Sequence, residues 1–267
     1  MVSLISIIVS VLMVDGLLRL FDPWGAVHYA SDMRVLLDHI VDNESQDYTL
    51  QPGVYHLNTW TSTVNPDGTR LVPNTHPNAK CTIALVGDSV TFGYGVSDAD
   101  TFANLLAIDY PDLNIVDTGV IGYNIENANQ VIHTVRADGY VYLLIANDAD
   151  PQFDWRHAHT GSEVAAFSLY LLLMKHSATS QTATVRDSFY TTLAKISQNN
   201  RVVVVGFQEP LAEDAAEFAP SVNIIPFYTA FNSKADAHPN AMGHKQIAQM
   251  LKPIVNQLQK RVCELTF

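Results

Sequence analysis

The sequence has few cysteines and little positive charge. Its 267 residues include two cysteines, and 15 Lys and Arg residues stand against 27 Asp and Glu residues, giving a formal net charge of −12. This negative charge argues against nucleic acid and anionic membrane surfaces as partners, because both repel an acidic protein. Cys81 and Cys263 are too few for a disulfide framework and lack metal-ligand spacing. They could pair in an oxidising compartment, but we expect two buried free thiols.

Charged residues are also scarce, at 16% of the chain, whereas hydrophobic residues make up 48%. This composition permits a substantial core and argues against general disorder. The sequence contains no internal repeat and no low-complexity tract. The length suits one large α/β domain with an N-terminal appendage.

A long hydrophobic run occurs only at the N-terminus. Residues Val2 to Val14 are apolar apart from three serines, and Asp15 and Arg19 then interrupt the run. The run is short for a membrane span and closer to a signal-peptide core, although a basic n-region and a cleavage site are missing. An interfacial helix and a buried core helix are alternatives. We favour a signal or membrane anchor within residues 1–21, acting through residues 2–20, which predicts a cell-envelope or secreted protein.

Residues 22–80 show weak periodicity and many turn signals. Met33 to Val41 could form one short helix. The stretch from Tyr55 to Val64 ends at an Asn-Pro-Asp-Gly turn and resumes at residues 69–71, which predicts a β-hairpin. We expect an irregular lead-in that wraps the domain formed by residues 81–267.

In residues 81–267, short apolar strands alternate with helical patterns. Strands that are apolar throughout are typical of a parallel sheet covered by helices on both faces. The predicted strands are Ile83–Val86, Leu113–Val120, Tyr140–Ala146, Arg201–Gly206 and Val222–Pro226. The predicted helices are Thr101–Ala107 with Asp100 as N-cap, Ile125–Val135, Val164–Met174, Asp187–Ile196 and Ala241–Val262 with a kink or break at Pro253.

Polar residues suited to catalysis follow several of these strands. The first strand stops at Gly87-Asp88-Ser89, which is how an α/β protein presents a nucleophile at the carboxyl edge of its sheet. An ordinary turn is the alternative interpretation. Near the C-terminus, His238 could act as the general base and Asp236 could orient it, because residues two apart in extended chain point the same way.

The second and third strands are followed by residues suited to stabilising an oxyanion. Gly122 allows a backbone N–H to approach a ligand closely. Asn147 carries a carboxamide able to donate to a developing negative charge. Taken singly, each residue has a structural explanation as a turn glycine or a loop cap. Their occurrence together, at successive strand ends, favours a hydrolytic site.

From Thr82 to the C-terminus, these residues resemble the GDSL or SGNH hydrolase superfamily. The resemblance implies a flavodoxin-like three-layer α/β/α sandwich with a mainly parallel five-stranded sheet, and ester hydrolysis without metal or cofactor. It assigns Ser89 as the nucleophile and His238 as the base. It assigns the oxyanion hole to Ser89 N–H, Gly122 N–H and the Asn147 side chain. The motifs that carry it are Gly87-Asp88-Ser89, Gly122, Asn147-Asp148 and Asp236-Ala237-His238-Pro239-Asn240.

The sequence departs from the family pattern at three positions. Family members often have Asn where this chain has Asp117, and Gly where it has Ala146. The acid commonly lies three residues before the histidine, where this chain has Ala235. Asp236 lies two before and remains the predicted acid, although a backbone carbonyl could orient His238 instead.

The remaining histidines do not predict a second catalytic site or a metal site. His157 and His159, with Asp154 nearby, form a short motif that could bind a metal, but no third ligand cluster supports it, so no metal is predicted. His244 lies on the last predicted helix and is expected to be structural.

The predicted function is hydrolysis of acyl or acetyl esters of a small molecule, lipid or glycan through an acyl-enzyme. One alternative is an SGNH-type O-acyltransferase of envelope glycans, in which a sugar hydroxyl replaces water. A catalytically silent SGNH-like domain that binds glycans or a partner protein is another. A nucleotide-binding flavodoxin-like protein is disfavoured, because the loop after the first strand lacks a glycine-rich phosphate fingerprint.

Overall fold

The computed structural model describes residues 2–151 and 183–264. Its helices are α1 (Val2–Phe21), α2 (Ala26–Leu37), α3 (Ser89–Phe92), α4 (Phe102–Asp109), α5 (Ile125–Thr134), α6 (Ala183–Gln198), α7 (Pro210–Phe218) and α8 (Ala241–Val262). Its strands are β1 (Ile40–Asn43), β2 (Asp47–Leu50), β3 (Gly53–His56), β4 (Thr61–Val64), β5 (Cys81–Val86), β6 (Leu113–Asp117), β7 (Gly139–Leu144), β8 (Val202–Phe207) and β9 (Asn223–Ile225).

The last five strands form one parallel sheet in the order β6-β5-β7-β8-β9. Counted from β5, this is the flavodoxin-like order 2-1-3-4-5. Strands β7 and β8 are buried along their whole length, as expected for a sheet covered on both faces. The predicted α/β architecture with five parallel strands is therefore confirmed.

Alternate residues of β5 enter two separate hydrophobic clusters. Ala84 and Val86 face one cluster, whereas Ile83 and Leu85 face the other, because successive side chains of a strand point to opposite faces. Helices α5, α6 and α7 contact the sheet elements of the first face, and α4 and α8 cover the second. The sheet thus forms the middle layer of three.

The lead-in is more regular than its turn signals indicate. It contains α2 and two antiparallel hairpins, β1–β2 and β3–β4. The second hairpin spans residues 53–64. Residues 65–68 form the predicted turn, across which the Asn65 N–H donates to Thr69 O and the Leu71 N–H donates to Thr63 O, each at 2.8 Å. After β4, Arg70 forms single bridges to Val64 and to Asp117 of β6, because the chain leaves the hairpin for the edge of the large sheet.

The N-terminal segment forms a single helix, α1. Several of its described side chains, including Leu20 and Phe21, are exposed. Within residues 2–151 and 183–264, no helix combines the length and the apolar character needed to cross a membrane. The membrane anchor expected in residues 2–20 is therefore not supported.

The two cysteines are joined, which corrects the expectation of free thiols. Cys81 begins β5 and Cys263 follows α8, 182 residues later, with their Cα atoms 5.8 Å apart in a disulfide. Helix α8 runs antiparallel to the sheet strands on which it packs. Its last turn therefore returns to the edge of the sheet at which β5 begins.

Three helices differ from those expected. Helix α2 spans Ala26–Leu37, whereas the predicted helix Met33–Val41 extends into β1. Helix α8 continues through Pro253 without a break. The N-cap of α4 is Thr101 and not Asp100, because the Thr101 hydroxyl accepts the Asn104 N–H at 3.2 Å. The predicted helix Val164–Met174 lies outside the described residues.

Candidate active site

The site lies where the strand order of the sheet reverses. β6 and β7 flank β5 on opposite sides, so a crevice opens at the carboxyl ends of β5 and β7. Ser89 begins α3, three residues after the end of β5. Asn147 lies in a single 3₁₀ turn at residues 146–149, directly after β7. The topology therefore brings these two side chains to the same crevice.

A sharp turn presents Ser89 at the end of β5. Gly87 has φ 156°, and a Cβ atom there would lie 2.2 Å from Thr91 Oγ1, so only glycine fits. Asp88 is the N-cap of α3, and its Oδ1 atom accepts the Val90 N–H at 2.8 Å. The turn thus places Ser89 in the first position of the short helix.

Ser89, His238 and Asp236 form a continuous chain of contacts. His238 Nε2 lies 2.8 Å from Ser89 Oγ, and His238 Nδ1 lies 2.6 Å from Asp236 Oδ1. The same Asp236 oxygen accepts the His238 backbone N–H at 3.0 Å. Ser89 and Asp236 are buried, whereas His238 is partly exposed. The geometry matches that of a nucleophile, a base and a group that orients the base.

The loop that carries Asp236 and His238 is closed by its own hydrogen bonds. The Asn232 side chain donates to Asp236 Oδ2 at 3.1 Å, and the Asn232 N–H donates to His238 O at 2.9 Å. Ser233 Oγ accepts the Asp236 N–H at 3.1 Å. Asn232 and Ser233 were not predicted as site residues, because polar residues of this kind are common in loops.

Two aromatic rings pack beside His238. The Tyr94 ring centroid lies 4.7 Å from that of the imidazole, and the Tyr29 centroid lies 6.1 Å away. The Tyr94 hydroxyl donates to Tyr29 O at 2.8 Å, which ties α2 to the segment after the nucleophile. Burial, with a smaller contribution from Asp236, raises the pKa of Tyr29 to about 12. Tyr29 is therefore neutral near pH 7, and it comes from the lead-in, where the sequence analysis assigned no site residue.

Gly122 and Asn147 line the same cavity as Ser89 and His238, which has a volume of about 670 Å³. Gly122 adopts φ 77°, a conformation that favours glycine. All five residues that the sequence analysis selected therefore border one cavity, since Asp236 lines it as well.

Asp88 connects the serine to the asparagine. Its Oδ2 atom accepts the Asn147 side-chain N–H at 3.2 Å and lies 3.1 Å from Ser89 Oγ. Burial raises the pKa of Asp88, while the Val90 N–H and His238 act in the opposite direction. A serine hydroxyl has one proton. When that proton is donated to His238, Asp88 retains its hydrogen bonds from Asn147 and Val90.

A buried arginine supports the segment that follows the nucleophile. Arg70 donates to Gly93 O and Val96 O, each at 2.6 Å, and pairs with Asp98 at 3.0 Å. The pKa of nearby Asp117 is raised to about 7. Burial causes this increase, and Arg70 partly opposes it. The sequence analysis did not select Arg70, because a lone arginine in a turn-rich segment is normally exposed.

His244 is buried on α8. Its Nδ1 atom accepts the Phe102 N–H at 3.1 Å, and its ring stacks on Phe102 with a centroid distance of 5.6 Å. Burial lowers the pKa of His244 to about 3, so the ring is neutral near pH 7. These contacts agree with the structural role expected for it.

Metal binding has no support in the part of the chain that the structure describes. Within residues 2–151 and 183–264, no group of three or more His, Cys, Asp or Glu residues could hold a metal ion. The short motif at Asp154, His157 and His159 lies outside the described residues.

No protein-family model and no curated protein matches the chain. A similar solved structure is a lipolytic protein of the G-D-S-L family from Veillonella parvula DSM 2008, with 17% identity, TM-score 0.40, and coverage of 66% of this chain and 98% of that one. Psychrotrophic esterase EstA from Pseudoalteromonas sp. has 13% identity and a TM-score of 0.43, and the match covers 66% of this chain and 100% of that one. A carbohydrate esterase has 14% identity and a TM-score of 0.46, and the match covers 74% of this chain and 81% of that one. Because these TM-scores are below 0.5, function must be inferred from the geometry of the site.

Proposed function

We propose that this protein is a serine hydrolase that cleaves carboxylic esters through an acyl-enzyme. The observation that carries this proposal is the chain of contacts from Ser89 Oγ to His238 Nε2, at 2.8 Å, and from His238 Nδ1 to Asp236 Oδ1, at 2.6 Å. A serine hydroxyl becomes an effective nucleophile only when a base accepts its proton and a third group orients that base.

In the first half of the reaction, His238 Nε2 accepts the Ser89 proton while Oγ attacks the ester carbonyl carbon. The carbonyl oxygen becomes an oxyanion, for which Ser89 N–H, Gly122 N–H and the Asn147 carboxamide are the donors. Collapse of this intermediate breaks the bond to the alcohol, and His238 protonates the departing oxygen. The products are a free alcohol and an acyl group on Ser89.

In the second half, water attacks the acyl carbon while His238 accepts one of its protons. The same three donors stabilise the second oxyanion. Collapse releases the carboxylic acid and returns the proton from His238 to Ser89 Oγ. Asp236 orients His238 and stabilises the imidazolium that forms in each half.

The walls of the cavity favour an ester with an apolar portion. Tyr29, Met33 and Leu37 are spaced four residues apart, so they lie on one face of α2, and all three line the cavity. Ile121 adds a further apolar side chain. Acyl or acetyl esters of a small molecule, lipid or glycan fit this description.

An extracytoplasmic location forms part of the proposal. The disulfide between Cys81 and Cys263 supports it, because structural disulfides persist mainly in oxidising compartments.

Replacement of the nucleophile tests the proposed reaction. Ser89→Ala should abolish hydrolysis of p-nitrophenyl acetate while the circular dichroism spectrum and melting temperature stay unchanged. A fluorophosphonate probe should label the wild-type protein at Ser89 and leave the variant unlabelled. Ser31→Ala, at an exposed position of α2, serves as the matched control and should behave like wild type. Hydrolysis that persists in Ser89→Ala would exclude this mechanism.

A further inference from the structure

Glu209 lies in the candidate active site without a place in the proposed mechanism. It follows the carboxyl end of β8 and precedes α7, so it lies at the same edge of the sheet as Ser89 and Asn147. It lines the cavity that contains Ser89 and His238. The residue is partly buried, and its side chain forms no capping hydrogen bond to α7.

One carboxylate oxygen of Glu209 is unsatisfied. The Oε1 atom is buried and has no hydrogen-bond partner among the described residues. Burial raises the pKa of Glu209, while the Ala146 N–H lowers it. Leaving a buried acceptor unpaired costs free energy that a donor on a bound ligand can recover.

Among the described residues, the two other carboxylates that line the cavity form hydrogen bonds within the protein. Asp88 accepts hydrogen bonds from Val90 N–H and from the Asn147 side chain. Asp236 contacts His238 with one oxygen and accepts from Asn232 with the other. Among the described residues of the cavity wall, Glu209 is the carboxylate that retains an acceptor for substrate.

The charge of the cavity limits which group Glu209 can bind. Among the described residues that line the cavity, none is Lys or Arg, while three are acidic. The whole chain has a formal net charge of −12. Phosphate, sulfate and carboxylate groups are therefore disfavoured at this wall. A neutral hydroxyl or an ammonium group can donate to the Glu209 carboxylate.

We propose that Glu209 binds a hydrogen-bond donor on the substrate, so that the preferred substrates are esters bearing a hydroxyl or ammonium group away from the scissile bond. Phe207, Phe227 and Tyr228 line the same cavity and contact one another, with ring centroids 4.6 to 5.3 Å apart. An aromatic wall lowers the local dielectric constant, which strengthens a hydrogen bond made beside it. This inference rests on the proposed ester hydrolysis.

Two series of matched esters test the inference. Hexyl acetate and ethyl hexanoate are each compared with derivatives whose terminal methyl is replaced by a hydroxymethyl or an aminomethyl group, so that both the alcohol and the acyl side are probed. The value of kcat/KM is measured for wild type, Glu209→Gln and Glu209→Leu. Activity on the two parent esters confirms that each variant is folded.

In wild type, a terminal donor in at least one series should raise kcat/KM about 10- to 100-fold over the parent ester, as expected for a hydrogen bond to a charged group. Glu209→Leu should remove the gain and leave the parent ester within about threefold of wild type. Glu209→Gln should keep much of the gain for a hydroxyl and lose it for an ammonium group, which distinguishes the two donors.

Three results would overturn the inference while ester hydrolysis stands. The first is that wild type shows no higher kcat/KM for the esters with a terminal donor than for the parent esters. The second is that this increase in kcat/KM persists in Glu209→Leu. The third is that the Glu209 variants lose kcat/KM equally for all esters. The last would show that Glu209 positions the Asn147 turn through Ala146 instead of binding substrate. Hydrolysis that does not depend on Ser89 would overturn both this inference and the proposed function.

Discussion

Asp236 and His238 contact each other twice, although a single residue separates them in the chain. The Asp236 Oδ1 atom lies 2.6 Å from His238 Nδ1 and accepts the His238 backbone N–H at 3.0 Å. One carboxylate oxygen therefore fixes both the backbone and the ring of the candidate base. This contact makes a spacing of two residues workable for a base and the group that orients it.

Asp236→Asn should lower kcat/KM for p-nitrophenyl acetate by about 10²- to 10⁴-fold, because an amide does not stabilise the imidazolium. The matched control is Asp100→Asn, which replaces an exposed carboxylate and should leave activity unchanged. Near-normal turnover of Asp236→Asn would remove Asp236 from the catalytic group and leave a backbone carbonyl as the group that orients His238.

Asn147→Ala should reduce kcat by about 10²- to 10³-fold with little change in KM, because the carboxamide is expected to contact the oxyanion and not the ground-state ester. Steady-state kinetics separate the two parameters. Asn256→Ala, at an exposed position of α8, is the control and should match wild type. A rise in KM at constant kcat would instead assign Asn147 to substrate binding.

Met33→Trp should reduce activity on long esters more than on short ones, because a larger side chain on the cavity face of α2 occupies space that an apolar substrate group needs. The ratio of kcat/KM for p-nitrophenyl octanoate to that for p-nitrophenyl acetate should fall about 10-fold or more. Ser31→Trp places the same side chain at an exposed position of α2 and should preserve the ratio. An equal fall for both esters would contradict a role of α2 in substrate selection.

Asp117→Asn should stabilise the protein more as the pH rises. Burial raises the pKa of Asp117 from 3.8 to about 7, so in wild type this group favours folding fully below pH 4 and loses that contribution as the pH rises through 7. The asparagine does not ionise and retains an oxygen for the Gly119 N–H, which Asp117 Oδ1 accepts at 3.0 Å.

Urea unfolding at pH 4, 6 and 8 measures this effect. The free energy of unfolding of Asp117→Asn relative to wild type should increase by about 2–4 kcal/mol between pH 4 and pH 8. Asp138→Asn, which replaces an exposed carboxylate, should show no comparable trend. A difference that is constant with pH would mean that Asp117 is ionised in the folded protein at all three values.

Reduction of the disulfide between Cys81 and Cys263 should lower the free energy of unfolding by about 2–5 kcal/mol, because it releases a loop of 182 residues in the unfolded chain. Melting temperatures with and without dithiothreitol measure the effect. The double variant Cys81→Ser/Cys263→Ser should have the melting temperature of the reduced protein, and dithiothreitol should not change it. Two thiols titrated in the untreated, unfolded protein would show that no disulfide had formed.

Local patterns were sufficient for much of the fold. All five strands of the large sheet lie where apolar runs predict them, because a strand buried on both faces needs an unbroken apolar segment. Ser89 and Asn147 could be placed at one edge for the same reason, since parallel strands all end on one side. Residues 65–68 form the predicted turn, but the hairpin at residues 53–64 that precedes it was not predicted, because turn signals occur throughout the lead-in.

The remaining features required the tertiary structure, because they depend on contacts between segments far apart in the chain. Tyr29 reaches His238 across more than 200 residues, and Arg70 is buried only because residues 92–98 fold around it. The disulfide joins the two ends of the domain, which no cysteine spacing indicates. Local periodicity was enough to predict the type of sheet and the candidate nucleophile. That α2 and Glu209 border the site is known only from the folded chain, because contacts between distant segments produce no periodic pattern in the sequence.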